Sequence, residues 1–204
     1  MAEKKKLLFG NDARAKLLKG MEVVERAVSS TLGPRSRNVS VDYNPLGDRP
    51  PIILHDGVSV ARSIDLEDPF EDQGARLIKD AALKSNQVAG DGTTTATILA
   101  LAIVKEAHKN IQAGANPMLL RTEIETAVKR TVEEMKSMSK DVKDPKEVEQ
   151  VATISAGSPE LGKMVADVIN RVGHDGVVTI EKGNGIKDEV EYKQGLEVDR
   201  GYLS

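Results

Sequence analysis

Ala89-Gly90-Asp91-Gly92-Thr93-Thr94-Thr95-Ala96-Thr97 is the stretch on which the reading of the whole chain turns. It ends one apolar-periodic segment and opens another. Gly90 and Gly92 allow φ > 0 and let a ligand come close to the backbone. Asp91 is the only carboxylate in the stretch, and four threonine hydroxyls follow it within six residues. Ile98, Leu99, Leu101, Ala102, Ile103 and Val104 then predict a buried or mostly buried helix. A glycine turn that feeds a helix start presents free N–H groups and the positive end of the dipole, which favour an anion. A phosphate on those amides, with Asp91 and a threonine hydroxyl on Mg2+, would satisfy every group. The local pattern equally allows an ordinary helix start capped by Asp91 or Thr93. It is not a Walker A loop, because no lysine follows the second glycine.

Working outward, the 204 residues allow one large or two small domains. Lys and Arg number 29 against 32 Asp and Glu, for a net charge of −3, so no basic face argues for nucleic acid. The chain has no cysteine, which removes disulfides and thiolate metal sites and suits a reducing compartment. No apolar run approaches the ~20 residues of a membrane span. The start, Met1 to Gly10, has a short basic run but neither a long apolar core nor a small-residue cleavage site, so no signal peptide is expected. With no Trp, two Phe and three Tyr, any core consists of Val, Ile, Leu, Ala and Met, and aromatic stacking is not the main recognition device.

Before the central turn, Asn11 to Ser30 is predicted helical, with Ala13, Leu17, Leu18, Met21, Val24, Ala27 and Val28 on one stripe and Asn11 or Asp12 as cap. Thr31-Leu32-Gly33-Pro34 stops it, through a C′ glycine and a proline. Asn38 to Tyr43 and Ile52 to Leu54 read as two short strands of a hairpin around the loop Asn44 to Pro51. An isolated hairpin is marginal, so a further partner strand is expected from elsewhere, with another subunit as a candidate source. His55-Asp56-Gly57 is a tight exit, in which Asp56 makes an Asx-turn or serves a site. Asp68-Pro69, with Glu71 at N3, reads as a capping box opening a helix to Val88.

After the turn, helices are expected from about Thr94 to Ala113 and again after Asn116-Pro117, the latter with the stripe Leu119, Leu120, Ile124, Ala127, Val128, Val132 and Met135. Ser139 to Asp144 is a polar linker and the predicted domain boundary. Asp144-Pro145-Lys146-Glu147 opens a short helix to about Ile154, and Ser158-Pro159 opens another, closed by Gly173. Val177 to Glu181 and Glu189 to Tyr192 are strand-like, with Gly183-Asn184-Gly185 as a turn, so this second region reads as α+β. The last strand pair has nothing after it to pack on, which predicts that part of a larger protein is missing.

Phe9-Gly10-Asn11-Asp12-Ala13-Arg14, Thr31 to Pro34, Asp56-Gly57-Val58-Ser59-Val60-Ala61-Arg62, Gly90 to Thr95, Thr153-Ile154-Ser155-Ala156 and Asp199 to Ser204 stand in the order found in group I chaperonins. The whole chain resembles the N-terminal part of a bacterial GroEL-type subunit. The resemblance implies a mainly α fold with a β-hairpin over residues 1–137, the first half of an ATP-binding equatorial domain. It implies the ascending half of an intermediate domain, a small α+β segment, over 138–193, and the start of an apical domain over 194–204. The implied function is that of an ATPase subunit of rings of seven, often stacked in pairs, that enclose non-native polypeptide beneath a co-chaperonin lid in the cytoplasm. Nucleic acid and membrane are not implied partners.

Residue by residue, Thr31, Leu32, Gly33 and Pro34 match the family's nucleotide-flanking residues. Gly92, Thr93, Thr94 and Thr95 match its phosphate loop, and Asp91 its Mg2+ ligand. Asp56 matches a carboxylate near the attacking water, and Tyr202 and Ser204 fall where the polypeptide-binding surface begins. The implied cofactors are ATP and Mg2+, with K+ as a further candidate. The chain departs from the family at His55, where lysine is usual; a backbone carbonyl contact to nucleotide would survive that change. Ser36 stands where glycine is common, and the hairpin loop from Tyr43 to Pro51 is longer than usual. The resemblance also leaves a second reading, a structural fragment or paralogue without ATP turnover.

Overall fold

A computed structural model describes residues 6–43, 50–142, 144–173, 176–181, 183, 185, 188–193 and 195. Tyr202 and Ser204, and with them nearly all of the expected apical segment, lie outside the described residues. The chain divides into two compact units, residues 1–129 and 130–204. The regular elements described are helices and one two-stranded hairpin; residues 176–181 and 188–193 of the second unit belong to neither. No described helix is long and apolar enough to cross a membrane.

In the first unit, α1 (Gly10–Ser29) is followed by the antiparallel pair β1 (Val39–Val41) and β2 (Ile52–Leu54). The register pairs Val39 with Leu54, Ser40 with Ile53 and Val41 with Ile52. Val39 and Leu54 pack on the core, whereas Ile52 and Ile53 face solvent. Next come the short α2 (Gly57–Arg62), α3 (Pro69–Ala89), α4 (Thr93–Gln112) and α5 (Pro117–Met138), in which the division between units falls. The core is Met21, Val24, Val28, Val58, Val60, Ala61, Ala75, Ile78, Ala82 and Leu101. It contains no aromatic residue, as the composition predicts.

Small side chains let the helices approach closely. Gly20 of α1 lies against the carbonyl of Glu71, and Gly74 of α3 lies against the carbonyl of Leu17. A methyl group at either position would overlap backbone. Ion pairs flank this crossing: Lys16 meets Asp68 and Glu71 at 2.8 Å each, and Lys19 meets Glu71 at 2.9 Å.

Several sequence expectations are corrected here. Neither Asn11 nor Asp12 caps α1; the N-cap is Phe9, with no side-chain bond, and Asn11 instead accepts from Arg14 at 3.2 Å. Asp68 caps α3, accepting from Phe70 N at 2.9 Å and Glu71 N at 3.2 Å. Glu71 does not complete the box, because its carboxylate is drawn across to the two lysines of α1. The box does form at α6 (Pro145–Ala156), where Asp144 accepts from Lys146 N and Glu147 reaches back to Asp144 N.

In the second unit, α6 packs on α7 (Pro159–Val172) at Gly162, which lies against Thr153. Val177–Glu181 and Glu189–Tyr192 form no strand ladder among the described residues. Val177 and Ile180 are 86% exposed, so nothing there pays the ordering cost of a two-stranded ribbon. Tyr192 is instead held by Arg171, whose guanidinium lies 4.0 Å from the ring centre.

Candidate nucleotide site

The site is built where α3 hands over to α4. Gly90 ends α3 in the left-handed region at φ 67°, and its N–H donates to Asn86 O. Gly92 takes the same region at φ 72° and is the N-cap of α4. A glycine there carries no capping side chain, and the helix start has no side-chain cap bond among the described residues. The capped-start reading, with Asp91 or Thr93 as the cap, is therefore not the one the structure adopts. The amides of Thr93, Thr94 and Thr95 occupy the first turn of α4, where the helix itself provides no acceptors.

Asp91 is held in the turn by both ends. Its Oδ1 accepts from Gly92 N at 2.6 Å, and its carbonyl accepts from the Ser85 hydroxyl at 2.7 Å. The residue is exposed, and its side-chain hydrogen bond to Gly92 uses Oδ1 alone. Ser85 sits in the last turns of α3 and was not singled out from sequence; only its distance of six residues from Asp91 hints at the bond.

Two distant segments come to this helix start. Thr31, just after α1, has its hydroxyl 3.0 Å from that of Thr94. The Thr31 hydroxyl also donates to Val28 O at 2.8 Å. With that proton committed, Thr94 is the donor in the pair, and a chain of two hydroxyl bonds runs from α4 to α1. Beyond Thr31, exposed Leu32, Gly33 and Pro34 form a turn closed by Ser36 N on Gly33 O at 3.0 Å and Arg37 N on Ser30 O at 2.8 Å. Gly33 is left-handed at φ 79°, but Ser36 is not, so serine fits that turn without strain.

The second segment is the exit from β2. Asp56 is the N-cap of α2: its Oδ2 accepts from Ser59 N and from the Ser59 hydroxyl, each at 3.0 Å. Its Asx-type capping role is thus real, and its Oδ1 is not part of that bond pair. Gly57, the next residue, is buried against Thr93 and Thr94. His55 is exposed immediately before it. Sequence reasoning treated this stretch as a turn and missed α2, because six residues are too few to show helical periodicity. The signal that was present is Asp56 three residues before Ser59.

Thr31, Asp56 with Gly57, and the Thr93–Thr95 turn are therefore neighbours in space, although more than sixty residues separate the outermost. Buried Thr97 ties off the first turn by donating to Thr93 O at 2.9 Å. Among the described residues no group of three or more His, Asp or Glu stands together as a metal cage. A lone, exposed carboxylate is the donor set expected for Mg2+, which keeps several waters and takes further oxygens from phosphate. Asp91 fits that description.

The sequence profile of the TCP-1/cpn60 chaperonin family matches residues 24–204. Among solved structures, the chain is similar to a group III chaperonin in the open state, with 20% identity and a TM-score of 0.65 over 78% of this chain and 32% of that one. It is also similar to the chaperonin gp146 from the bacteriophage EL 2 (Pseudomonas aeruginosa), whose crystals were obtained in the presence of ATP-BeFx. That match has 28% identity and a TM-score of 0.66 over 81% of this chain and 29% of the other. The first likeness is one of fold alone. The chain spans about a third of the length of these two structures. A profile match over most of the sequence, and a helical frame shared with solved chaperonins, make this chain a member of the TCP-1/cpn60 chaperonin family.

Proposed function

We propose that this chain is the N-terminal, nucleotide-binding part of an ATP-dependent chaperonin subunit of the GroEL type. The observation that carries the reading is the meeting of Thr31, Asp56–Gly57 and the uncapped first turn of α4 beside Asp91. In this reading the amides of Thr93, Thr94 and Thr95 receive phosphate oxygens, and Leu32, Gly33 and Pro34 flank the nucleotide. His55 contributes its backbone carbonyl. Asp91 would hold Mg2+, which neutralises phosphate charge when bound. Asp56 orients the attacking water, its own orientation fixed by Ser59. No residue is assigned to K+. The gp146 structure obtained with ATP-BeFx supports a nucleotide at this fold.

The same proposal covers the whole protein. Residues 1–137 act as the equatorial part, 138–193 as the intermediate part and 194–204 as the apical start, with Tyr202 and Ser204 at the polypeptide surface. Seven subunits form a ring, stacked in pairs and closed by a co-chaperonin lid, in the cytoplasm. The β1–β2 hairpin meets strands of a neighbouring subunit, which suits its exposed Ile52 and Ile53.

The test combines calorimetry with phosphate release on the full-length protein. Asp91→Ala should abolish metal-dependent ATP binding. Asp56→Ala, which removes the carboxylate that orients the water, should slow hydrolysis on the order of 10²-fold, as misplacing a reacting group does, and weaken binding much less. An Asp56→Ala protein that turns over at the parent rate would sink the assignment. A second reading, a structural paralogue without turnover, is favoured by one observation: Asp56 is already employed as the cap of α2. It predicts ring assembly with no phosphate release.

A further inference from the structure

We propose that Gly57 is a positioning residue of this site: its missing side chain lets the loop carrying Asp56 seat directly on the hydroxyl end of Thr94. The proposal rests on the nucleotide reading above. Gly57 is the first residue of α2 and is buried. It is not one of the left-handed glycines, so backbone conformation does not require glycine there. Space does. A Cβ at Gly57 would overlap Thr94 Oγ1 and would stand 3.1 Å from Thr93 Oγ1 and 3.2 Å from Thr94 N.

The crowding has no free outlet. Thr94 Oγ1 could rotate away only by giving up its bond to Thr31 Oγ1 at 3.0 Å. Thr31 cannot follow with a new donation, since its own proton is held by Val28 O at 2.8 Å. Thr93 is buried, and its carbonyl is engaged by Thr97 at 2.9 Å. The remaining way out is retreat of the loop itself. That retreat moves the adjacent Asp56, whose carboxylate is fixed to the same short helix through Ser59. Gly57 therefore sets how far the water-orienting carboxylate stands from the phosphate turn. Misplacing a catalytic group by about 1 Å costs on the order of 10²-fold in rate.

Ordinary helix propensity predicts the opposite sign, because alanine is the better residue in a helix when nothing crowds it. The test uses the full-length protein and four forms: the parent, Gly57→Ala, Thr94→Ala and the double substitution. ATP binding is read by calorimetry with Mg2+, turnover by phosphate release, and folding by thermal unfolding. Gly57→Ala should lower kcat by roughly 10- to 100-fold and affect ATP affinity less. In the Thr94→Ala background, where the obstructing oxygen is gone, the same substitution should cost little further. If Gly57→Ala fails to fold, recovery of folding in the double substitution supports the same contact. Turnover of Gly57→Ala at the parent rate overturns the proposal, as does an equal loss with and without the Thr94 hydroxyl. Failure of the parent itself to bind ATP would instead remove the nucleotide reading, and the two failures are thereby distinguished.

Discussion

Glu71 and Asp68 show how single residues are retuned by what the fold brings to them. The hydrogen bond from Lys16, then those from the α3 amides, holds the Asp68 carboxyl down at about 2 against an ordinary 3.8. Bonds from Lys16 and then Lys19 lower Glu71, and the two carboxylates in turn raise Lys16. A carboxylate with a depressed folded value contributes stability that is present above its unfolded value and is lost as pH falls through the folded one. The contribution of Asp68 is thus complete above about pH 4 and fades toward pH 2. Thermal midpoints of the parent should fall through this window, and Lys16→Met should flatten the fall. A variant whose midpoint follows the same pH curve as the parent would show that the pair contributes nothing.

Among the elements, the α1–α3 crossing carries the first unit. Its closeness depends on two glycines inside helices, where glycine is otherwise unfavourable by about 0.5–1 kcal/mol relative to alanine. Gly74 lies against the Leu17 carbonyl and Gly20 against that of Glu71, so backbone meets backbone. Gly74→Ala should therefore destabilise by about 1–3 kcal/mol, the usual range for forcing an extra methyl into a packed contact. Urea unfolding measures this. A gain in stability would show that the helices separate freely. Glycine within the helical pattern at both positions was legible from the sequence, but the partner of each was not, because the contact joins residues some fifty positions apart.

At the largest scale, α4 and α5 each carry exposed apolar residues among the described ones. Leu101 of α4 is buried, but Leu99 is 56% exposed, and Ile103 and Val104 face solvent beside it. The expected buried helix is thus buried on one face only. On α5 no residue is buried, and the predicted stripe includes Leu119 at 68% and Met135 at 64% exposure. Faces of this size associate or bind a partner. If the subunit continues beyond these 204 residues, as the proposed function has it, the 204-residue chain should sediment as a concentration-dependent mixture, bind Mg-ATP weakly and not turn it over, whereas the longer subunit should bind ATP tightly and hydrolyse it. A monomeric short chain with the turnover of the long one would place the covering surface and the catalytic machinery elsewhere.

The sequence by itself determined the long helices and the hairpin, but neither the six-residue α2 nor the absence of a strand ladder in Val177–Glu181 and Glu189–Tyr192 among the described residues. Proline and aspartate at Asp68-Pro69 and Asp144-Pro145, and glycine at Gly90, Gly114 and Gly173, bound the helices within a few residues, because caps and stops are local chemistry. The motifs also carried the family, which the profile match over residues 24–204 bears out. From the sequence came Thr31, Asp56, Asp91 and Thr93 to Thr95, which lie together in the structure, but not Ser85, Ser59 or the packing role of Gly57. Tertiary structure alone decided how those residues meet. Whether Gly92 leaves the start of α4 uncapped, whether Glu71 closes its own helix or reaches Lys16 and Lys19, and which donor faces Thr31 all depend on groups distant in the chain. Periodicity marks a face as apolar but does not say what covers it. For that reason α4 and α5 were legible as helices and not as the half-covered surfaces they present. Gly57 was legible as a glycine in a turn. Only the approach of Thr94 from another helix gives the physical reason for it: the volume of one methyl group.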